Sequence, residues 1–131
     1  MFNFAHQRAR EVLSLTRKVV LATGGPAGVL AGEFRCEAVD LALFLLVPKT
    51  SDHLFNLEHD SSVTVLSAGW EMKGNAQVIS EEMLEFKLDL LQDPGARWCK
   101  LVRVDPLLLQ VRRSEGWGNL ETIDLKESGL N

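Results

Sequence analysis

Hydrophobic and polar residues follow two different periods along this chain and divide it into helices and strands. Over residues 3–17, Ala5, Ala9, Val12 and Leu13 recur at helical spacing, which predicts an amphipathic helix. Short segments rich in β-branched and apolar residues follow, and these are typical of strands. We predict strands over 18–23, 28–37, 41–47, 62–67, 70–79, 99–104 and 107–112, a short last strand over 121–125, and further helices over 51–60 and 80–93.

The junction between the third strand and the second helix is the best candidate for chemistry. Pro48 ends an uninterrupted apolar strand, which suits a strand buried on both faces. The polar run Lys49, Thr50, Ser51 and Asp52 then opens the helix. A helix N-terminus attracts anions, because its N–H groups lack partners and its dipole is positive there. The commoner role for Thr50 or Ser51 is a simple helix cap, with Lys49 a solvated lysine.

The last third of the chain is less regular. Six apolar residues between Met83 and Leu91 predict a helix that is apolar on more than one face and packs between other elements. We predict that Asp105-Pro106 separates the next two strands, because proline removes a hydrogen bond of the ladder. A proline at this position also implies a bulge or an edge strand. Hairpin-length links join most strands, so the pattern indicates an antiparallel α+β barrel or sandwich.

Composition narrows the class of protein. A chain of 131 residues with 46% hydrophobic positions predicts one domain, residues 1–131, with its own core. Fourteen basic and 18 acidic residues give a net charge of −4, which argues against a nucleic-acid partner. The longest apolar run is far too short for a membrane span, and the N-terminus lacks a signal-peptide pattern. We therefore expect a soluble cytoplasmic protein without a membrane or nucleic-acid partner.

The cysteines and histidines predict no metal site. Cys36 and Cys99 lie far apart and form no CxxC motif, so we expect two half-buried thiols, with a disulfide between them left open. His53 and His59 are six positions apart, which places them on different faces of the predicted helix. There is no HExxH motif and no arrangement of Ser, His and Asp that suggests a catalytic triad.

Aromatic and small residues add one further candidate. Trp70 is either a ring that stacks on a ligand or a core residue. Small residues at Gly74 and Ala76 on the same strand would let a flat ligand or another backbone approach closely. Trp117 lies between two glycines in the tail and needs something to cover it.

The order of these elements resembles the pyridoxamine 5'-phosphate oxidase-like family of FMN-binding split barrels. The resemblance covers roughly residues 5–113, is strongest over 18–113, and leaves 114–131 as a C-terminal tail. It rests on order and spacing, since no single motif is diagnostic. The resembling segments are Val20-Leu21-Ala22-Thr23, Leu43–Val47, Ser51, Leu57, Glu58 to Ser61, Val63–Leu66, Gly74-Asn75-Ala76 and Val102-Arg103-Val104-Asp105-Pro106.

This resemblance implies a mainly β, α+β fold: a six-stranded antiparallel split β-barrel with flanking helices. It also implies a homodimer with FMN in clefts at the dimer interface. Basic residues at the start of the short helix, and an arginine on the second strand, hold the phosphate in this family. The candidate FMN-binding residues here are Arg35, Lys49, Thr50, Ser51 and His53 for the phosphate, and Leu46, Val47 and Trp70 for the ring.

The sequence departs from the family where the phosphate would lie. Asp52 and His53 stand at two positions that are usually basic. No histidine follows His59, so the C-terminal arginine–x–histidine motif of true pyridoxamine phosphate oxidases is missing, and that activity is not expected. The resemblance therefore predicts an FMN-dependent oxidoreductase acting on another small molecule. The alternative is a flavin-free dimer that serves as a small-ligand-binding or interaction module, and a deazaflavin or heme in place of FMN also stays open.

Overall fold

The chain folds into an antiparallel β-barrel with α-helices on its outside. The computed structural model describes residues 4–112 and 120–125. Its α-helices are α1 (Phe4–Ser14) and α2 (Asp52–His59). Its strands are β1 (Lys18–Thr23), β2 (Leu30–Val39), β3 (Ala42–Pro48), β4 (Ser62–Ser67), β5 (Trp70–Ile79), β6 (Cys99–Arg112) and β7 (Leu120–Asp124).

Closure of the barrel depends on β6, the longest strand. The sheet runs in the order β3-β2-β1-β4-β5-β6-β7, and β3 also pairs with β6. Residues 99–104 of β6 pair with β3, whereas residues 108–112 pair with β7. Six strands therefore form the closed barrel, and β7 extends it at one edge. The predicted six-stranded antiparallel split barrel is confirmed.

The interior of the barrel explains why β3 is apolar along its whole length. Leu43, Leu45 and Val47 point into the barrel and join its main core. Phe44 and Leu46 point outward, where the segment between β5 and β6 covers them. Both faces of β3 are thus buried, as the uninterrupted apolar run predicts.

The segment between β5 and β6 is not the predicted helix over residues 80–93. It forms three short 3₁₀ helices, Glu81–Met83, Asp89–Gln92 and Pro94–Trp98. Its polar groups bond locally or to the barrel: the Leu90 N–H donates to Glu37 at 2.8 Å, and Asp93 accepts from the Gly95 N–H at 2.8 Å. Leu88 and Leu90 pack against Phe44 and Leu46 on the outer face of β3, whereas Met83 is largely exposed.

The prediction of two separate strands on either side of Asp105-Pro106 was also wrong. The predicted bulge, in contrast, is confirmed. β6 continues through both residues as one strand. The register against β5 shifts between Lys73 and Gly74, opposite Pro106. A Cβ on Gly74 would lie 2.7 Å from the backbone oxygen of Asp105, so glycine is required by the close approach of two backbones.

The structure also bears on the predictions about the cysteines and about membrane spans. Cys36 is buried, Cys99 is half-buried, and both are free thiols. No helix within residues 4–112 and 120–125 has the length and apolar character needed to cross a membrane. The first residue of the predicted N-terminal helix, Asn3, and the tail tryptophan, Trp117, lie outside the described residues.

Candidate functional site

Helix α2 begins directly after β3, and its first turn is capped from within. The Ser51 hydroxyl accepts a hydrogen bond from the His53 N–H at 3.2 Å, so Ser51 is the helix cap. The Leu54 N–H donates to the Ser51 carbonyl at 3.1 Å. These two N–H groups therefore already have partners, which reduces the capacity of this helix end to bind an anion.

Charge at the same helix end is mixed. Lys49 and Thr50 are exposed between β3 and α2. Asp52 is also exposed, in the first turn, where a carboxylate stabilises the helix but repels a phosphate. The Lys49 N–H donates to the Trp98 carbonyl at 3.0 Å, which fixes the lysine beside the last 3₁₀ helix.

His53 points into the protein. Its side chain is buried, with 6% of the residue exposed, and Nδ1 lies 2.8 Å from the Thr23 hydroxyl. The edge of its ring packs against Phe34, with ring centroids 5.2 Å apart. A Cβ on Gly32 would lie 3.2 Å from Nε2, so this strand approaches the ring closely. The imidazole is thus enclosed by β1 and β2.

Asn56, which was not predicted as a site residue, is the central polar group of this region. It is fully buried and donates to the Thr23 hydroxyl at 3.2 Å and to the Gly28 carbonyl at 2.9 Å. It also accepts from the Ala27 N–H at 3.0 Å. One side chain on α2 thereby holds the loop between β1 and β2. Asn56 follows His53 by three residues, so helical spacing places the two side chains on one face of α2. The sequence did not show that this face points inward.

The Thr23 hydroxyl connects His53 to Asn56. Its oxygen accepts from the Asn56 amide and lies 2.8 Å from Nδ1 of His53, and with one hydrogen and two lone pairs it is able either to donate to Nδ1 or to accept from it. Burial lowers the pKa of His53, and the negative charge of Asp52 partly opposes that effect.

We expect stability to fall in mildly acidic solution because of His53. A lowered folded-state pKa means that the unfolded chain binds the proton first, near its ordinary value of about 6.5. The free energy of unfolding should therefore decrease as the pH falls through about 6.5, and level off below the folded-state pKa. Urea unfolding of the wild type and of His53→Gln across this range tests it. An equal decrease in both proteins would contradict the assignment to His53.

A cleft lies beside the outward face of β3, next to Lys49. Its volume is about 800 Å³, which is within the range of small-molecule sites. Leu46 forms part of its wall, whereas Val47 lies inside the barrel. The cleft is lined by Leu46, Lys49, Val78, Ile79, Ser80, Glu81, Glu82, Leu91, Asp93, Pro94, Ala96, Arg97, Cys99, Lys100 and Leu101.

The rim of this cleft carries both signs of charge. Lys49, Lys100 and Arg97 supply the cations, and the Arg97 guanidinium lies 4.9 Å from the centre of the Trp98 ring. Glu81 and Glu82 lie on the same rim. Arg97 and Lys100 were not predicted as site residues, because they reach the cleft from a segment about fifty positions away from Lys49.

Two of the predicted site residues lie apart from Lys49. Arg35 is exposed on β2 and forms an ion pair with Asp93, so it reaches only the edge of the cleft. Trp70 is buried in the barrel core, where its indole N–H donates to the Thr16 hydroxyl at 3.3 Å. It starts β5, whereas the cleft lies at the other end of that strand. Their predicted part in FMN binding stays a prediction.

The closed six-stranded barrel, with a short helix between β3 and β4, is the fold of the pyridoxamine 5'-phosphate oxidase-like split barrels. The resemblance predicted from the sequence is confirmed at the level of the fold. No protein-family model matches the sequence, and no curated protein is significantly similar to it.

Solved structures share this fold at low sequence identity. A protein from Clostridium acetobutylicum related to general stress protein 26, of the pyridoxinephosphate oxidase family, is 13% identical with a TM-score of 0.68, covering 93% of this chain and 95% of its own. A heme-binding protein from Mycobacterium smegmatis is 18% identical with a TM-score of 0.70, covering 95% of this chain and 59% of its own. An FAD-binding protein from Mesorhizobium loti is 13% identical with a TM-score of 0.61, covering 79% and 88%.

Proposed function

We propose that this protein binds FMN in the cleft beside β3 and acts as an oxidoreductase on a small molecule. The observation that carries the proposal is the combination of an apolar wall with cations at the rim of one cleft. A flavin nucleotide has the matching chemistry, since it joins a flat, largely apolar ring to a phosphate. The FAD-binding protein with the same fold supports a flavin as the ligand.

The residues of the cleft fit FMN better than the start of α2 does. Leu46, Ile79 and Leu101 offer an apolar surface for the ring, and Lys49 and Lys100 offer charge for the phosphate. At the helix end, by contrast, the N–H groups of His53 and Leu54 are already bonded to Ser51. When bound, a flavin supplies the hydride-transfer chemistry, and the protein supplies binding and orientation.

We further propose that the protein works as a cytoplasmic homodimer. Val78 lines the cleft and Trp98 adjoins it, and they are 44% and 64% exposed. Exposed apolar side chains of this size around a cleft are typical of a surface that a partner covers. A second subunit would enclose the ring of the flavin and exclude water from it.

Reversing the charge of Lys49 should weaken FMN binding. In Lys49→Glu we expect the dissociation constant to rise on the order of tenfold, because one attractive contact becomes repulsive. Quenching of flavin fluorescence during titration measures it. Lys87→Glu is the matched control, because Lys87 is an exposed lysine outside this cleft and should bind as the wild type does. Equal affinities in the two variants would contradict the proposed phosphate position.

A second candidate function is a flavin-free binding or interaction module. Asp52 and His53 favour it, since the carboxylate lies at the start of α2 and the imidazole is committed to Thr23. If only the repulsion by Asp52 prevents binding, Asp52→Arg should create FMN affinity in a protein that otherwise binds none. FMN binding by the wild type would instead support the first proposal, and absence of binding in both proteins would indicate another ligand.

A further inference from the structure

A second cleft lies on the outer face of the barrel, across β1, β4, β5 and β6. The register pairs Ala22 with Thr64, Thr64 with Lys73, and Lys73 with Leu108, so these positions form one row. They alternate along their strands with buried residues, and the row therefore faces outward. The volume is about 460 Å³. The cleft shares no lining residue with the cleft beside β3.

The concave shape follows from the sizes of the residues. Ala22 is a small residue in the outward row, and the apolar side chains of Val29, Leu107 and Leu108 also line the cleft. Val29 is 89% exposed and lines the cleft. A ligand with an apolar body would cover these side chains.

The wall formed by the loop between β1 and β2 is held in place. Asn56 bonds to Ala27 and to Gly28 within this loop. Thr23, which also lines the cleft, is bonded to both His53 and Asn56. Because these contacts fix the loop without a ligand, binding requires little reorganisation.

Lys73 gives the cleft its charge. Within the described part of the chain its ammonium group forms no ion pair, although the protein is acidic overall. The hydroxyl groups of Ser62 and Thr64 line the same cleft and are able to donate hydrogen bonds. One cation and two hydroxyls beside apolar walls match a single small anionic head on an apolar body.

We propose that this cleft binds a small amphipathic carboxylate. The carboxylate contacts Lys73 and the neighbouring hydroxyls, and the hydrocarbon chain packs against Val29, Leu107 and Leu108. The volume accommodates a chain of moderate length, within the range of ligand cavities. This site does not depend on a flavin in the other cleft.

Octanoate is the probe for this site, and titration of the ¹⁵N-labelled full chain by NMR measures it. We expect saturable amide shifts at Thr23, Gly24, Thr64 and Gly74. Lys73→Gln should weaken binding by about fivefold, as removal of an exposed charge contact would. Lys49→Gln is the matched control and should leave octanoate binding unchanged. Octanol, which has the same chain without the charge, should bind more weakly to the wild type.

Three results would overturn the proposal. Shifts confined to the cleft beside β3 would place octanoate there. If octanol and octanoate bound with equal affinity, and Lys73→Gln did not change the octanoate affinity, the cleft would be a hydrophobic surface that does not select an anion. The third result combines two observations: octanoate does not bind, and sedimentation shows a dimer that the Val29→Glu variant does not form. This face would then belong to a contact with a second copy of the chain.

Discussion

Asn56→Ala is expected to lower the free energy of unfolding by about 3 kcal/mol, which is a large effect for one polar residue. The side chain is fully buried and makes hydrogen bonds to Thr23, Ala27 and Gly28. Removing it leaves the buried Thr23 hydroxyl and the partly buried backbone groups of Ala27 and Gly28 without this partner, and it opens a cavity beside Gly25. Urea unfolding followed by circular dichroism gives the change.

The matched control for this prediction is Asn75→Ala. Asn75 is exposed on β5, and its loss should change stability by less than about 0.5 kcal/mol. Asn56→Asp adds a finer test, because a carboxylate keeps the size of the side chain but cannot donate to the Gly28 carbonyl. We expect it to be destabilised as well. If Asn56→Ala were as stable as Asn75→Ala, α2 would not hold the loop between β1 and β2 as described.

Gly74→Ala is expected to destabilise the barrel by about 2–3 kcal/mol. Its Cβ would lie 2.7 Å from the backbone oxygen of Asp105 and 3.1 Å from the Val104 side chain. A backbone atom cannot move away as a flexible side chain can, so β5 and β6 would have to separate at the bulge. Because β6 also pairs with β3 to close the barrel, the strain would disturb that pairing as well.

Gly69→Ala provides the comparison for Gly74→Ala. A Cβ on Gly69 meets no atom within 4 Å, and this glycine lies between β4 and β5, close to the same strand pair. It should unfold at nearly the wild-type denaturant concentration. Equal stabilities of the two variants would show that β5 and β6 tolerate a side chain at the bulge.

Most of the barrel could be predicted because local patterns and global structure agree in it. Strand β1 and strand β5 carry alternating residues with one buried face, and their predicted bounds, 18–23 and 70–79, are those of the structure. The uninterrupted apolar run of β3 correctly indicated burial on both faces. Closure by pairing of β3 with β6 joins residues more than fifty positions apart, so it came from the family resemblance.

The predicted helix over 80–93 failed for a physical reason. Helical periodicity requires one apolar face, but the apolar residues here surround the segment. Leu88 and Leu90 are buried against the outside of β3, while Phe86 is 40% exposed. The shape of the barrel decides which of them is buried, and local pattern contains no information about that shape.

The candidate site was predictable only in part. Lys49 and Leu46 were predicted, and both line the cleft beside β3. His53 was interpreted as a possible phosphate partner, but the structure places its ring against Thr23 and Phe34. The direction of a side chain at the start of a helix depends on how the helix packs, which the sequence does not reveal. For the same reason Asn56 was overlooked.

The measurement that tests the central claim most directly is an absorption spectrum of freshly purified protein, followed by titration with FMN. We predict flavin absorption bands, or saturable quenching of added FMN that Lys49→Glu weakens and Lys87→Glu does not. A colourless protein that leaves FMN fluorescence unchanged would contradict flavin binding and would favour the flavin-free module. A heme spectrum would likewise contradict it, and would place the protein functionally beside the heme-binding protein of the same fold.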